Sequence, residues 1–163
     1  MKKLLVLILI LTGINFYVIH QLVQPVTASV KTDSQPDLIR SSLLYLGCPG
    51  SKTLSISHGI RTAENRTGIN GVLIACLIYT ESNFRTDAVS KKGYKGLMQT
   101  PTATKIPLID ICHGADILRE KLHLTKGDMF RALTLYKGGF NPEARKQARQ
   151  LLLVYSHVIK NVA

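Results

Sequence analysis

Residues 70–104 read NGVLIACLIYTESNFRTDAVSKKGYKGLMQTPTAT. The run from Val72 to Tyr79 is apolar at every position. A helix with no polar face has no side to give to water, so it must be surrounded by other protein elements. Asn70-Gly71 opens this helix, and the polar residues Thr80-Glu81-Ser82-Asn83 close it. Glu81 is therefore a carboxylic acid on the end of a buried apolar rod. Desolvation disfavours the charged form of such a group, and a carboxyl that keeps its proton can donate it to a leaving group. The plainer reading is a helix-terminal glutamate satisfied by local hydrogen bonds. Residues 85–96, which follow, hold three Lys, one Arg and two Gly without periodicity, the mark of a basic loop.

Outward from this stretch the chain reads as helices. Ser34-Gln35-Pro36-Asp37 resembles a cap with proline in the first turn. Leu38, Ile39, Ser42, Leu43 and Leu46 then follow at helical spacing up to Gly47. A weaker helix spans 53–67 and stops near Gly68. A short helix is expected from Leu97, broken by Pro101. Ile111, Ala115, Leu118 and Leu122 mark another helix, and Met129, Phe130, Leu133 and Tyr136 the next, ended by Gly138-Gly139. Asn141-Pro142-Glu143 supplies a cap, a first-position proline and an early acid. Ala144, Ala148, Leu151, Leu152, Tyr155, Val158 and Ile159 keep three–four spacing behind it. No alternation of strand type reaches useful length. The expected architecture is one all-α domain over 52–163, with a linker and N-terminal helix over 29–51.

Residues 1–28 stand apart. Met1-Lys2-Lys3 is a positive head, Leu4 to Ile19 an uncharged apolar run, and Val26-Thr27-Ala28 a set of small residues suited to a signal peptidase. The segment reads as a signal peptide or as an uncleaved N-terminal anchor. Either sends the domain out of the cytoplasm, to the periplasm or cell envelope, and membrane contact is expected only through this segment. The chain carries a formal charge of +11, which falls to +9 without Lys2 and Lys3, since all ten acids lie beyond residue 28. That charge favours an anionic polymer. Export makes the cell wall a better candidate than nucleic acid, for which no binding motif or aromatic stacking platform is present. Of the three cysteines, Cys76 lies in the apolar helix and reads as a small hydrophobe, while Cys48 and Cys112 could form one disulfide. With five scattered histidines and neither C-x-x-C nor H-E-x-x-H, no metal site is expected, and no cofactor.

The segment after Glu81 resembles the signature of the soluble lytic transglycosylase family, relatives of goose-type lysozyme. The matching residues are Glu81, Ser82, Phe84, Ala88, Ser90, Gly93, Gly96, Leu97, Met98, Gln99, Pro101, Thr102 and Ala103. Ala63, Gly68 and Ile69 fit the approach to the acid, while Gly114, Leu118, Ala132, Leu133, Tyr136 and Gly139 resemble a second block. The resemblance implies a lysozyme-like fold and cleavage of peptidoglycan strands. It makes Glu81 the general acid/base, Tyr136 the residue that steers its carboxyl, and Ser90, Gly96, Met98 and Gln99 the substrate-binding residues, with Gly93 and Gly96 letting the loop pass close to the glycan. Each has a plainer alternative: Met98 as core, Ser90 as a loop cap, Tyr136 as packing.

Three positions depart from the family pattern. Its Tyr-Asn-Ala-Gly block is Tyr136-Lys137-Gly138-Gly139, its asparagine before Ile111 is Asp110, and Gln99 and Pro101 are one residue closer than usual. Lys137 bears on cleft geometry and activity. Ordinary glycosidases use two carboxylates. The family's route needs one, because the muramic C6 hydroxyl attacks C1 and yields a 1,6-anhydro end. Asp87, the nearest acid in sequence, reads as a solvated turn residue. Two rivals remain: a hydrolytic muramidase on the same fold, and an inactive glycan-binding or scaffold module in a secretion or conjugation apparatus.

Overall fold

The computed structural model describes residues 37–162, so the leader-or-anchor segment and the 29–35 linker lie outside the described residues. The helices are α1 (Leu38–Tyr45), α2 (Gly50–Thr67), α3 (Gly71–Ser82), α4 (Pro107–Leu124), α5 (Met129–Tyr136) and α6 (Pro142–Val162). No strand forms among the described residues; two isolated antiparallel bridges join Lys95 to Val89 and to Thr100. The all-α, lysozyme-like expectation holds.

Side-chain caps start four of the six helices, and two of them, Asn70 and Asn141, stand where the sequence places a helix start. Asn141 Oδ1 accepts from the Ala144 amide at 2.8 Å, and Asp128 Oδ1 from the Arg131 amide at 3.0 Å. At the start of α3, Asn70 Oδ1 takes the amides of Val72 and Leu73, and Glu64 Oε1 takes that of Gly71 at 2.7 Å. Three amides that the helix itself cannot satisfy are thereby paired. The cap of α1 is Asp37, so Pro36 precedes the helix instead of standing in its first turn. Helix α2 starts at Gly50, three residues ahead of the expected 53, with Pro49 before it and no side-chain cap.

Helix α3 is the centre of the packing. Its residues Gly71 to Ile78 are all buried, and α1, α2 and α6 pack against it. Ile39 and Leu43 of α1 enter the same core as Ile56, Ile60, Leu73, Leu77, Leu118, Leu133 and Leu151. On the other side of α3, Val72 and Cys76 meet Val158 of α6. Helix α2 lies along α4, and α5 bridges α4 and α6. The close approach of α2 to α4 needs Gly59: a Cβ there would stand 2.9 Å from Ile111 Cδ1 and 3.3 Å from the Leu108 Cα.

The sequence leaves a Cys48–Cys112 bridge open, and the structure has none: Cys48, Cys76 and Cys112 are free and buried. Burial pushes all three thiols up, Cys76 to about 12. Since the thiolate is the reactive form, the folded protein should show almost no fast reaction with a thiol reagent at pH 8, and three thiols should titrate after denaturation. Replacing Gly59 by Ala should lower stability by about 1–3 kcal/mol through overpacking, read as a fall in the thermal midpoint.

Candidate active site

Glu81 stands in the last turn of α3, where the apolar rod ends. The chain leaves the helix through two consecutive left-handed residues, Asn83 at φ 50° and Phe84 at φ 61°. Asparagine tolerates this region, but for a phenylalanine it is strained. The surroundings hold it: Phe84 is fully buried, its carbonyl accepts from Lys52 Nζ at 3.1 Å, and Arg85 Nε donates back to the Ser82 carbonyl at 3.2 Å. The turn throws residues 85–100 outward as a flap beside Glu81.

The flap closes on itself. Lys95 and Thr100 exchange both backbone hydrogen bonds, at 2.8 and 3.0 Å, and the Gly96 amide donates to the Ala88 carbonyl at 2.9 Å. The short helix expected from Leu97 is instead a turn over Gly96–Gln99. Gly96 at φ 76° and Gln99 at φ 49° bracket only two residues, and the Lys95–Thr100 pairing returns the chain before a helical turn can form. Gly96 serves this fold-back, because a Cβ there would lie 2.8 Å from Ala103 Cβ and 3.0 Å from Asp110 Oδ2. Asp110 ties the far end of the flap to α4, its Oδ1 accepting from the Thr104 amide at 2.7 Å and hydroxyl at 2.9 Å. Its Oδ2 is buried without a partner.

A cavity of about 660 Å³ lies between the flap and the helices, and Glu81, Ser90, Gln99, Tyr136 and Lys137 are on its wall. Ser90 also closes the flap, with its Oγ accepting the Tyr94 amide at 3.0 Å. Gln99 spends its side-chain amide on the carbonyls of Ala88 and Gly96, at 3.2 and 3.0 Å. Met98 and Gly96 are not on the wall. Met98 is 1 % exposed and packs against Gly114, so of the readings open for it, core is the observed one. The exposed Lys91 and Lys92 and the partly buried Lys121 add positive charge to the wall.

Glu81 is partly desolvated, as its place at the end of an apolar helix implies, and it also has a charged partner. Lys137 Nζ lies 2.8 Å from Glu81 Oε1, with side chains only 5 % and 16 % exposed. The same ammonium donates to Thr80 Oγ1 at 3.2 Å. Tyr136, expected to steer the carboxyl, gives its hydroxyl to the Met98 carbonyl at 2.7 Å. Burial first, and then the charge of Glu81, push that phenol above its usual range, so it stays a protonated donor. The other carboxylate on the wall, Glu120, is 63 % exposed and paired with Lys121 at 2.9 Å. Asp87 is exposed and off the wall. Among the described residues no cluster of His, Cys, Asp and Glu could hold a metal.

Residues 59–152 match the family model for the transglycosylase SLT domain. The chain belongs to that family. SLT domains are lysozyme-like and of lytic transglycosylase type, acting on peptidoglycan. The SLT match covers helices α3 to α5 whole, and with them Glu81, the flap and Lys137. No curated protein is matched significantly by the chain. Among the described residues no helix is long and apolar enough to cross a membrane.

The residue that sequence reasoning placed least well is Lys137, read as a departure from a motif and found as the partner of the acid. Its position directly after Tyr136, at the end of an amphipathic helix, was the available signal. For Asp110, the expected outcome is that Asp110→Asn, which keeps the Oδ1 acceptor, leaves stability within about 1 kcal/mol of wild type. Asp110→Ala should cost about 1–3 kcal/mol by stranding the Thr104 donors, as measured by urea unfolding.

Proposed function

We propose that this protein is an exported peptidoglycan lytic transglycosylase that cleaves the β-1,4 bond between N-acetylmuramic acid and N-acetylglucosamine, with Glu81 as its only acid/base. The observation that carries this reading is the state of the Glu81 carboxyl. Oε1 is engaged by Lys137, while Oε2 has no partner among the described residues and is not buried. One oxygen is fixed and the other is free for a ligand in the cavity.

The reaction needs two proton movements. Glu81 gives its proton to the bridging oxygen as the bond from muramic C1 breaks, and the N-acetylglucosamine end leaves as a hydroxyl. The acetamido group of the substrate stabilises the positive charge at C1. Glu81, now a carboxylate, takes the proton of the C6 hydroxyl as that oxygen bonds to C1. The product is a 1,6-anhydromuramic end, no water is consumed, and the acid is regenerated. Glu120, exposed and paired with Lys121, offers no free second carboxylate to activate water. Tyr136 supports the site through the Met98 carbonyl, which fixes the base of the flap beside the cavity. Ser90 and Gln99 supply polar wall, and Lys91 and Lys92 favour the carboxylates of lactyl and stem-peptide groups.

Hydrolysis is the second reading, since Glu120 shares the cavity wall and would have to leave Lys121 to activate water. Mass spectrometry of muropeptides released from purified sacculi separates the two. Anhydro ends are expected, and reducing ends would mean hydrolysis. Glu81→Gln should lose at least about a hundredfold in rate. Equal clearing by both proteins in a murein zymogram, or none by either, would reject Glu81 as the acid and favour a glycan-binding or scaffold role within an envelope-spanning apparatus.

A further inference from the structure

We infer that Lys137 is the positioning residue of Glu81: its ammonium fixes which carboxyl oxygen faces the glycan and stabilises the carboxylate as the proton leaves. This rests on the proposed role of Glu81 and adds a second residue to it.

Three features of the site support the assignment. The contact is direct, 2.8 Å from Nζ to Oε1, and both side chains are largely withdrawn from water. The ammonium is itself held, since it donates to Thr80 Oγ1 at 3.2 Å, and Thr80 donates in turn to the Leu77 carbonyl at 3.1 Å. The cation also stands where two helices end. Lys137 is the C-cap of α5, and it reaches the last turn of α3, which carries no basic residue of its own. Helix C-termini carry partial negative charge, so a cation there is favoured and a lone carboxylate is not. Without Lys137, Glu81 would sit in an unfavourable field with no side-chain partner among the described residues. Tyr136 does not fill this role, because its hydroxyl is committed to Met98.

The consequence for the reaction is electrostatic. When the proton passes to the bridging oxygen, a full negative charge develops within 2.8 Å of that ammonium. A preoriented charge that meets developing opposite charge lowers the barrier without reorganisation. Removing Lys137 should therefore act on turnover more than on glycan binding.

The test compares wild type, Glu81→Gln, Lys137→Met, Lys137→Arg and Thr80→Val in the full-length chain. Turnover is measured on a soluble peptide-free (N-acetylglucosamine–N-acetylmuramic acid) oligosaccharide. Lys137→Met should lower kcat roughly tenfold to a hundredfold and leave KM within about twofold. Lys137→Arg should recover most of kcat. Thr80→Val, which loosens the ammonium but keeps the charge, should fall between Lys137→Met and wild type, and it carries the test if Lys137→Met does not fold. Wild-type kcat in both Lys137→Met and Thr80→Val overturns the proposal. So does a raised KM at unchanged kcat, which would make Lys137 a substrate contact. If Glu81→Gln is as active as wild type, the acid/base reading falls and Lys137 with it. If Glu81→Gln is dead and Lys137→Met turns over normally, only the positioning role falls.

Discussion

A helix that is apolar on every side can exist in water only if other elements enclose it. Helix α3 imposes that demand, and α1, α2 and α6 meet it by packing around Gly71–Ile78. The enclosure explains why α1 belongs to the folded core although it lies ahead of the matched family region. It also explains a glycine at a close contact. Gly71 admits Ile39 of α1, where a Cβ would meet Cδ1 at 2.7 Å. Burying a Leu or Ile side chain to this depth contributes about 2–5 kcal/mol by the usual truncation cost, so the centre of the fold tolerates little change.

An enclosed rod must still come to the surface, and it does so at Tyr79–Glu81, where the apolar run ends. Any polar group in that turn inherits low solvent exposure from the packing and negative potential from the helix end. A glutamate in that position is held at a cost, and Lys137 offsets it. The pair then has a geometry that a flexible surface pair would not have. Surface ion pairs contribute little because they must order two long side chains. Here the fold orders them already, through the end of α5 on one side and the end of α3 on the other. What the ion pair gives in return is an oriented carboxyl.

Much of this was legible in the sequence. The unbroken apolar run identified α3 as central, and Asn70 and Asn141 marked helix starts that the side-chain bonds bear out. The motif after Glu81 led to the family. The remainder depended on tertiary distances that periodicity does not encode. Leu97 and Met98 are good helix formers, yet they lie in a turn because Lys95 and Thr100 pair across them. Met98 matches a motif position and is buried against Gly114, a contact between residues 16 apart in sequence. Tyr136 and Lys137 are neighbours in the chain and touch different groups: the tyrosine hydroxyl meets the Met98 carbonyl, and the lysine, read only as a departure from the motif, meets Glu81.

Those two contacts bear on how the cavity is held together. For the proposed reaction the flap and Glu81 must be held in register, because a carboxyl misplaced by an ångström loses most of its advantage. In this chain two tethers share the task. Tyr136 ties the end of α5 to the flap through the Met98 carbonyl, and Lys137, the next residue, ties the same helix end to Glu81. A single short segment thus references both walls of the cavity to one point in the core. An asparagine at position 137 would be shorter by two bonds and could not span the distance a lysine spans from the same backbone. The position of α5 and the length of residue 137 therefore constrain each other, and a change in one without the other would open a gap at the acid.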